Sequence, residues 1–168
     1  LCSEFLKQVA FMHSQHIPLE FLERGILEKN ISDPAEVMAL RGDILRQLQN
    51  CSLIRYCVKT HSFSIHPLLF QVLNLDFRQD VEVIEGLRVF SKLDCVGRYN
   101  PTRKNTIRPF QNILPHCLAI LKHVQEADEL SVKLALIVAR YFLDTTHQLE
   151  KAKEYLLLAK KWTEGWDH

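Results

Sequence analysis

Apolar positions recur with two different periods along this chain. Phe5, Val9, Met12 and His16 stand three or four residues apart, with Leu6 and Ala10 beside them, which predicts a first helix capped by Ser3. Ile17-Pro18-Leu19 breaks that helix and opens a second, whose stripe is Leu19, Leu22 and Ile26. Asp33-Pro34 is an N-cap followed by proline at the first helical position. Val37, Leu40, Ile44 and Leu48 carry that helix to Asn50, with Gly42 as a point where it divides in two. The period then shortens. Residues 53–58 and 63–66 alternate apolar and polar and are joined by Lys59-Thr60-His61-Ser62, a hairpin signal. His66 stands directly before Pro67, so it is the expected N-cap of a helix running to about Phe77. Leu68, Leu69, Val72 and Leu73 are its expected inward face.

The helical period returns after Asp80, with the stripe Ile84, Leu87, Phe90 and Leu93. Residues 97–105 are rich in turn formers and read as a loop, after which Pro109 opens a helix carrying Ile113, Cys117, Ile120, Leu121 and Val124. Asp128 caps the next, with Leu134, Ile137, Val138 and Tyr141, and a last helix follows Gln148 with Ala152, Leu156 and Ala159 on one side. Short loops make these neighbours antiparallel. A lone hairpin is marginal in water, so it packs on the helices before it as a wing. The expected fold is mainly α: a winged-helix domain with one β-hairpin over residues 1–80, then antiparallel helices over 81–168.

Composition adds limits. At 47% hydrophobic and 24% charged, the 168 residues are ordinary for a globular chain. The net charge of +1 gives no global pull toward nucleic acid or anionic lipid. No apolar run approaches a membrane span. The N-terminus has no Met, no basic flank and no small-residue cleavage site, and it starts inside a helical pattern; the expectation is a fragment of a longer, cytoplasmic protein. Cys2, Cys51, Cys57, Cys95 and Cys117 are odd in number, widely spaced and set among apolar residues, as in a reducing compartment.

Candidate chemistry is sparse. His13 and His16, His61 and His66 near Cys57, and His116 and His123 do not have metal-ligand spacing. No cysteine carries a nucleophile signature, and buried thiols are expected. A DNA-reading winged helix is disfavoured, because residues 1–80 hold eight Lys and Arg against nine Asp and Glu. Arg98, Arg103, Lys104 and Arg108, with Tyr99, form the one basic patch, expected to be a solvated linker. Tyr141, Trp162 and Trp166 are the candidate partner-facing aromatics, the two tryptophans lying at helical spacing beside Lys160 and Lys161.

FSIHPLLFQVL, with Ile65, His66, Leu68, Leu69 and Gln71, resembles the motif that closes the winged-helix domain of signal-transduction ATPases of the NB-ARC (STAND) class. Pro67 departs from the Asp of one form of that motif. Ile17-Pro18 with Leu22, and Leu45, Leu48, Ser52, Leu53 and Ile54, resemble the lead-in to the wing. Leu114-Pro115-His116 is similar to a segment of the repeat-bearing members. Phe142-Leu143, Leu149, Glu150 and Ala152, continued by Leu156 and Ala159, resemble a tetratricopeptide repeat, with His147 where a Gly is usual.

The resemblance implies that residues 81–168 begin a tetratricopeptide-like array and that residues 1–80 restrain a nucleotide module. It implies that His66 is the sensor of the ADP phosphate in the full-length parent. An imidazole at a helix N-terminus suits a phosphate, although on position alone His66 reads first as a cap satisfied by local backbone, and only the resemblance puts the phosphate role level with it. No GxxxxGK[ST] phosphate loop is present, so no cofactor is expected in this fragment, ADP or ATP belongs to the parent, and the chain is not expected to be an enzyme. The expected partner is a protein or the rest of the parent chain, without nucleic acid or membrane. The alternative is a stand-alone helical-repeat adaptor with no ATPase parent.

Overall fold

The first helix is shorter than its apolar spacing predicts. In the computed structural model, which describes residues 2–27, 31, 33–76, 80–124 and 126–164, α1 covers Cys2–Val9. Phe5, Val9 and Met12 are all buried, but Met12 and His16 lie beyond the helix, and His16 takes a left-handed φ of 57°. The chain turns there because the next residues are needed in a sheet. Ile17–Pro18 form β1, which pairs antiparallel with a later strand through Ile17↔Phe63 and Pro18↔Ser62. A two-residue strand containing proline gives no alternation to read, so it escapes a periodicity search.

α2 (Leu19–Leu27) buries Leu19, Phe21, Leu22 and Ile26. α3 (Pro34–Asn50) starts as expected: the Asp33 carboxylate accepts from the Ala35 N–H at 3.0 Å, with Pro34 in the first turn. It stays one helix through Gly42. Its buried Val37, Ile44, Leu45 and Leu48 face inward, and Arg41 pairs with Glu23 of α2. β2 (Ile54–Cys57) and β3 (Ser62–Ile65) form the expected hairpin in the register Ile54↔Ile65 to Cys57↔Ser62, joined by a 3-10 turn over Val58–Thr60. The sheet order is β1-β3-β2. α4 (Pro67–Asp76) follows. Its expected inward face is largely outward: Leu73 is buried, but Leu68 is 67% and Val72 51% exposed.

α5 (Asp80–Ser91) closes this core. Its Leu87, Val89 and Phe90, with Leu93 just beyond, are buried, and the Phe90 ring lies 6.4 Å from Phe21. Those contacts explain why the chain divides into compact units at 1–93 and 94–168 and not near residue 80. The Phe5 ring, 5.3 Å from Phe63 and 6.4 Å from Phe21, sits centrally in the first unit.

The second unit starts with the short α6 (Asp94–Gly97), then α7 (Lys104–His123). α7 begins five residues before the expected proline. Asn100 and Thr106 explain the early start. The Thr106 hydroxyl donates toward the Asn100 carbonyl at 2.8 Å and accepts from the Asn100 N–H at 3.0 Å, which folds the first turn. Pro109 and Pro115 therefore lie inside the helix, and each lacks the N–H for an i−4 bond, a cost of about 3 kcal/mol in an ordinary helix. Buried Phe110, Ile113, Cys117, Ile120 and Leu121 offset it.

α8 (Glu129–Arg140) is capped by Asp128, which accepts from the Ser131 N–H at 2.9 Å and its hydroxyl at 2.7 Å. A π-turn over Tyr141–Thr145 and a left-handed His147 (φ 55°) lead into α9 (Leu149–Thr163), which packs on α8. Ala152 and Ala159 are buried in α9, whereas Leu156 of the expected stripe is 45% exposed. The described fold is thus mainly helical with one small three-stranded antiparallel sheet, and no described helix is long and apolar enough to cross a membrane.

Candidate functional site

His66 is placed by the end of one element and the start of the next. Its N–H donates to the Leu53 carbonyl at 2.9 Å, the last bond of the hairpin, and its own carbonyl accepts from the Phe70 N–H at 3.0 Å, the first bond of α4. Its Nδ1 accepts from the Leu68 N–H at 3.3 Å, so the ring is the N-cap. In the neutral ring that bond leaves the proton on Nε2. The side chain is exposed.

Around it lies a groove of about 680 Å³, lined among others by Gln15, Ser52, Arg55, Tyr56 and Ser64. Strand pairing explains part of the assembly. Arg55 and Ser64 are direct cross-strand partners and project to one side, while their neighbours Ile54 and Ile65 are buried on the other. Ser64 is also held by the chain before β1: its Oγ accepts from the His16 N–H at 3.2 Å, and the Ile65 N–H donates to Ser14 at 2.8 Å. Those bonds bring Gln15 to the rim. Strict alternation could have flagged Arg55 and Ser64; Gln15 arrives only through tertiary pairing.

No lining residue is Asp or Glu. The groove therefore offers donors, namely the guanidinium, the imidazole N–H, the phenol and the amides, and no carboxylate base. Such a set suits an anionic group. It does not pair a nucleophile with a base, and no group of three or more potential metal ligands occurs among the described residues.

The other sequence candidates go elsewhere. Tyr141 is 4% exposed, in an aromatic cluster with Phe110 at 5.3 Å, Phe142 at 5.7 Å and Tyr99 at 6.0 Å, so its ring packs within the second unit. Trp162 is half-buried near the end of α9, and Trp166 lies outside the described residues. No disulfide joins the five cysteines. Only Cys117 is the expected buried thiol, and burial pushes it well above the ordinary thiol range. Cys57 is half-exposed and shifts the opposite way, lowered first by a hydrogen bond from the Thr60 hydroxyl and then by backbone N–H groups of the turn. No family model matches the chain, and neither a curated protein nor a solved structure matches it.

Proposed function

We propose that the chain is a non-enzymatic regulatory and protein-interaction segment of an NB-ARC (STAND) class signal-transduction ATPase. In this reading α2, α3 and the β2–β3 wing, with β1 as the third strand, are a winged-helix domain that restrains the parent's nucleotide module. The α7–α9 helices begin a tetratricopeptide-like array that binds protein. The observation that carries the reading is His66: it caps α4 through Nδ1 yet stays exposed beside a groove with Arg55 and no carboxylate. Those donors fit the phosphate end of an ADP held by the parent, and the positive end of α4 adds to them. Two further features support it. Leu68 and Val72 leave an apolar strip on α4, next to the groove, for the module to cover. His147 adopts the left-handed conformation at the repeat position where the family has Gly.

The test is nucleotide retention by the full-length parent, wild type against His66→Ala, read as ADP and ATP released on denaturation. The reading expects the folded variant to lose ADP or exchange it faster, with raised basal activity. Equal load, equal exchange rate and equal activity would reduce His66 to a helix cap. A parent without nucleotide or phosphate loop would leave a helical-repeat adaptor in its place.

A further inference from the structure

α7 has a face whose chemistry the regulatory reading does not use. Between Asp94 and Glu126 the sequence holds no acidic residue, while Arg98, Arg103, Lys104, Arg108 and Lys122 fall in that stretch. Because the helix starts at Lys104, Lys104, Arg108 and Lys122 lie on α7 itself, with Arg103 at its N-cap, and not in a linker. Lys104, Asn105, Arg108, Gln111 and Asn112 are exposed and share one sector of about 120° on the helix, directly opposite buried Phe110, Ile113 and Cys117. Arg103 is exposed at the N-cap and makes no side-chain capping bond. None of these six side chains has a hydrogen-bond or ion-pair partner among the described residues. The cations also crowd the end of the helix where acidic groups are stabilising and cations are not, so folding alone gives no reason for them.

We propose that this face of α7 binds the phosphodiester backbone of nucleic acid. Charge complementarity selects an anionic partner, and the composition of the face selects which one. A membrane-surface helix needs an apolar side to insert, and a peptide groove needs an apolar anchor pocket. The exposed large hydrophobics among the described residues lie on other elements, and α7 contributes none. Guanidinium and ammonium groups interleaved with Asn and Gln amides match repeated phosphate and sugar oxygens instead. The contacts are to the backbone, so binding is independent of base sequence. The α7 face shares no residue with the His66 groove, and either proposal survives the failure of the other.

The experiment measures fluorescence anisotropy of labelled RNA, single-stranded and duplex, of about 20 nucleotides, with the whole chain at about 50 and 200 mM salt. Three proteins are compared: wild type, Arg103→Ala/Lys104→Ala/Arg108→Ala, and the charge-matched control Lys133→Ala/Lys153→Ala/Lys161→Ala. The control removes exposed cations of α8 and α9, where acidic residues are interspersed. The expected result is salt-sensitive wild-type binding, a loss of roughly tenfold or more in the α7 variant with a salt slope smaller by about 2, and a control within about twofold of wild type. The wild-type slope tests the idea even if a variant fails to fold. Wild type that does not bind, salt-insensitive binding, a control that loses as much as the α7 variant, or a preference for phosphatidylserine vesicles over RNA would each overturn it.

Discussion

The Cys57 thiol ends β2 and faces the turn that follows, where the Thr60 hydroxyl donates to it. The same hydroxyl lies 2.7 Å from the Ser62 Oγ, so Ser62 donates to Thr60 while Thr60 donates to sulfur. The thiolate gains from that chain of bonds and the neutral thiol does not, so the pKa falls. The lowered value sets the sign: alkylation of Cys57 should reach half its maximal rate at a lower pH than for an ordinary thiol. Thr60→Ala should move the midpoint up and Thr60→Ser should restore it, as read by iodoacetamide labelling and mass spectrometry across pH. Cys117 should stay unlabelled in the folded chain. Equal midpoints for wild type and Thr60→Ala would refute the account. None of this was legible from Cys57 and Thr60 as letters, because a Cys three residues before a Thr has no meaning until the turn closes. His66 was legible as a cap, because Pro67 marks the first helical residue wherever the chain folds. The left-handed residues were not: His16, Ser52, His61 and His147 turn the chain where glycine would be the usual signal, and their conformations come from the packing of the elements they join.

Elements were readable where period and cap agree. Asp33-Pro34 and Asp128 start helices in the structure as the sequence predicts. Two glycines separate local from tertiary constraint in the same way. Gly42 lies inside α3 with nothing within 4 Å of an added Cβ, so its cost is purely conformational. Gly42→Ala should raise stability by about 1 kcal/mol, the difference in helix propensity. Gly86 lies in α5, where an added Cβ would sit 3.0 Å from the backbone carbonyl oxygen of Gln8 in α1. That oxygen belongs to a helix and cannot swing aside, so Gly86→Ala should destabilise the first unit by about 1–3 kcal/mol. Urea or thermal unfolding should show the two substitutions moving in opposite directions. The same direction for both would mean that α1 and α5 do not approach as closely as described. The sequence misplaced α7 for a related reason. Pro109 is a strong local start signal, but the bonds between Asn100 and Thr106, together with the apolar stripe from Phe110 to Leu121, carry the helix back across it.

At the scale of the whole chain the open question is where the first unit ends. A boundary near residue 80 follows from the change of pattern after α4; the contacts place it after Leu93. The two positions make different demands on the core. Cutting at residue 80 removes Leu87, Val89, Phe90 and Leu93, each buried, and uncovers Phe21 opposite Phe90. At about 1.5–3 kcal/mol for each large buried side chain, the loss comes to roughly 6–12 kcal/mol. That is the size of the whole stability of an ordinary domain, about 5–15 kcal/mol. Residues 1–93 expressed alone should therefore unfold cooperatively on heating, and residues 1–80 should show no cooperative transition and should bind a hydrophobic dye. A cooperative melt of residues 1–80 within a few degrees of the longer piece would restore the earlier boundary. It would also change the reading of α5, which would then join the second unit in place of closing the core against α1 and α2.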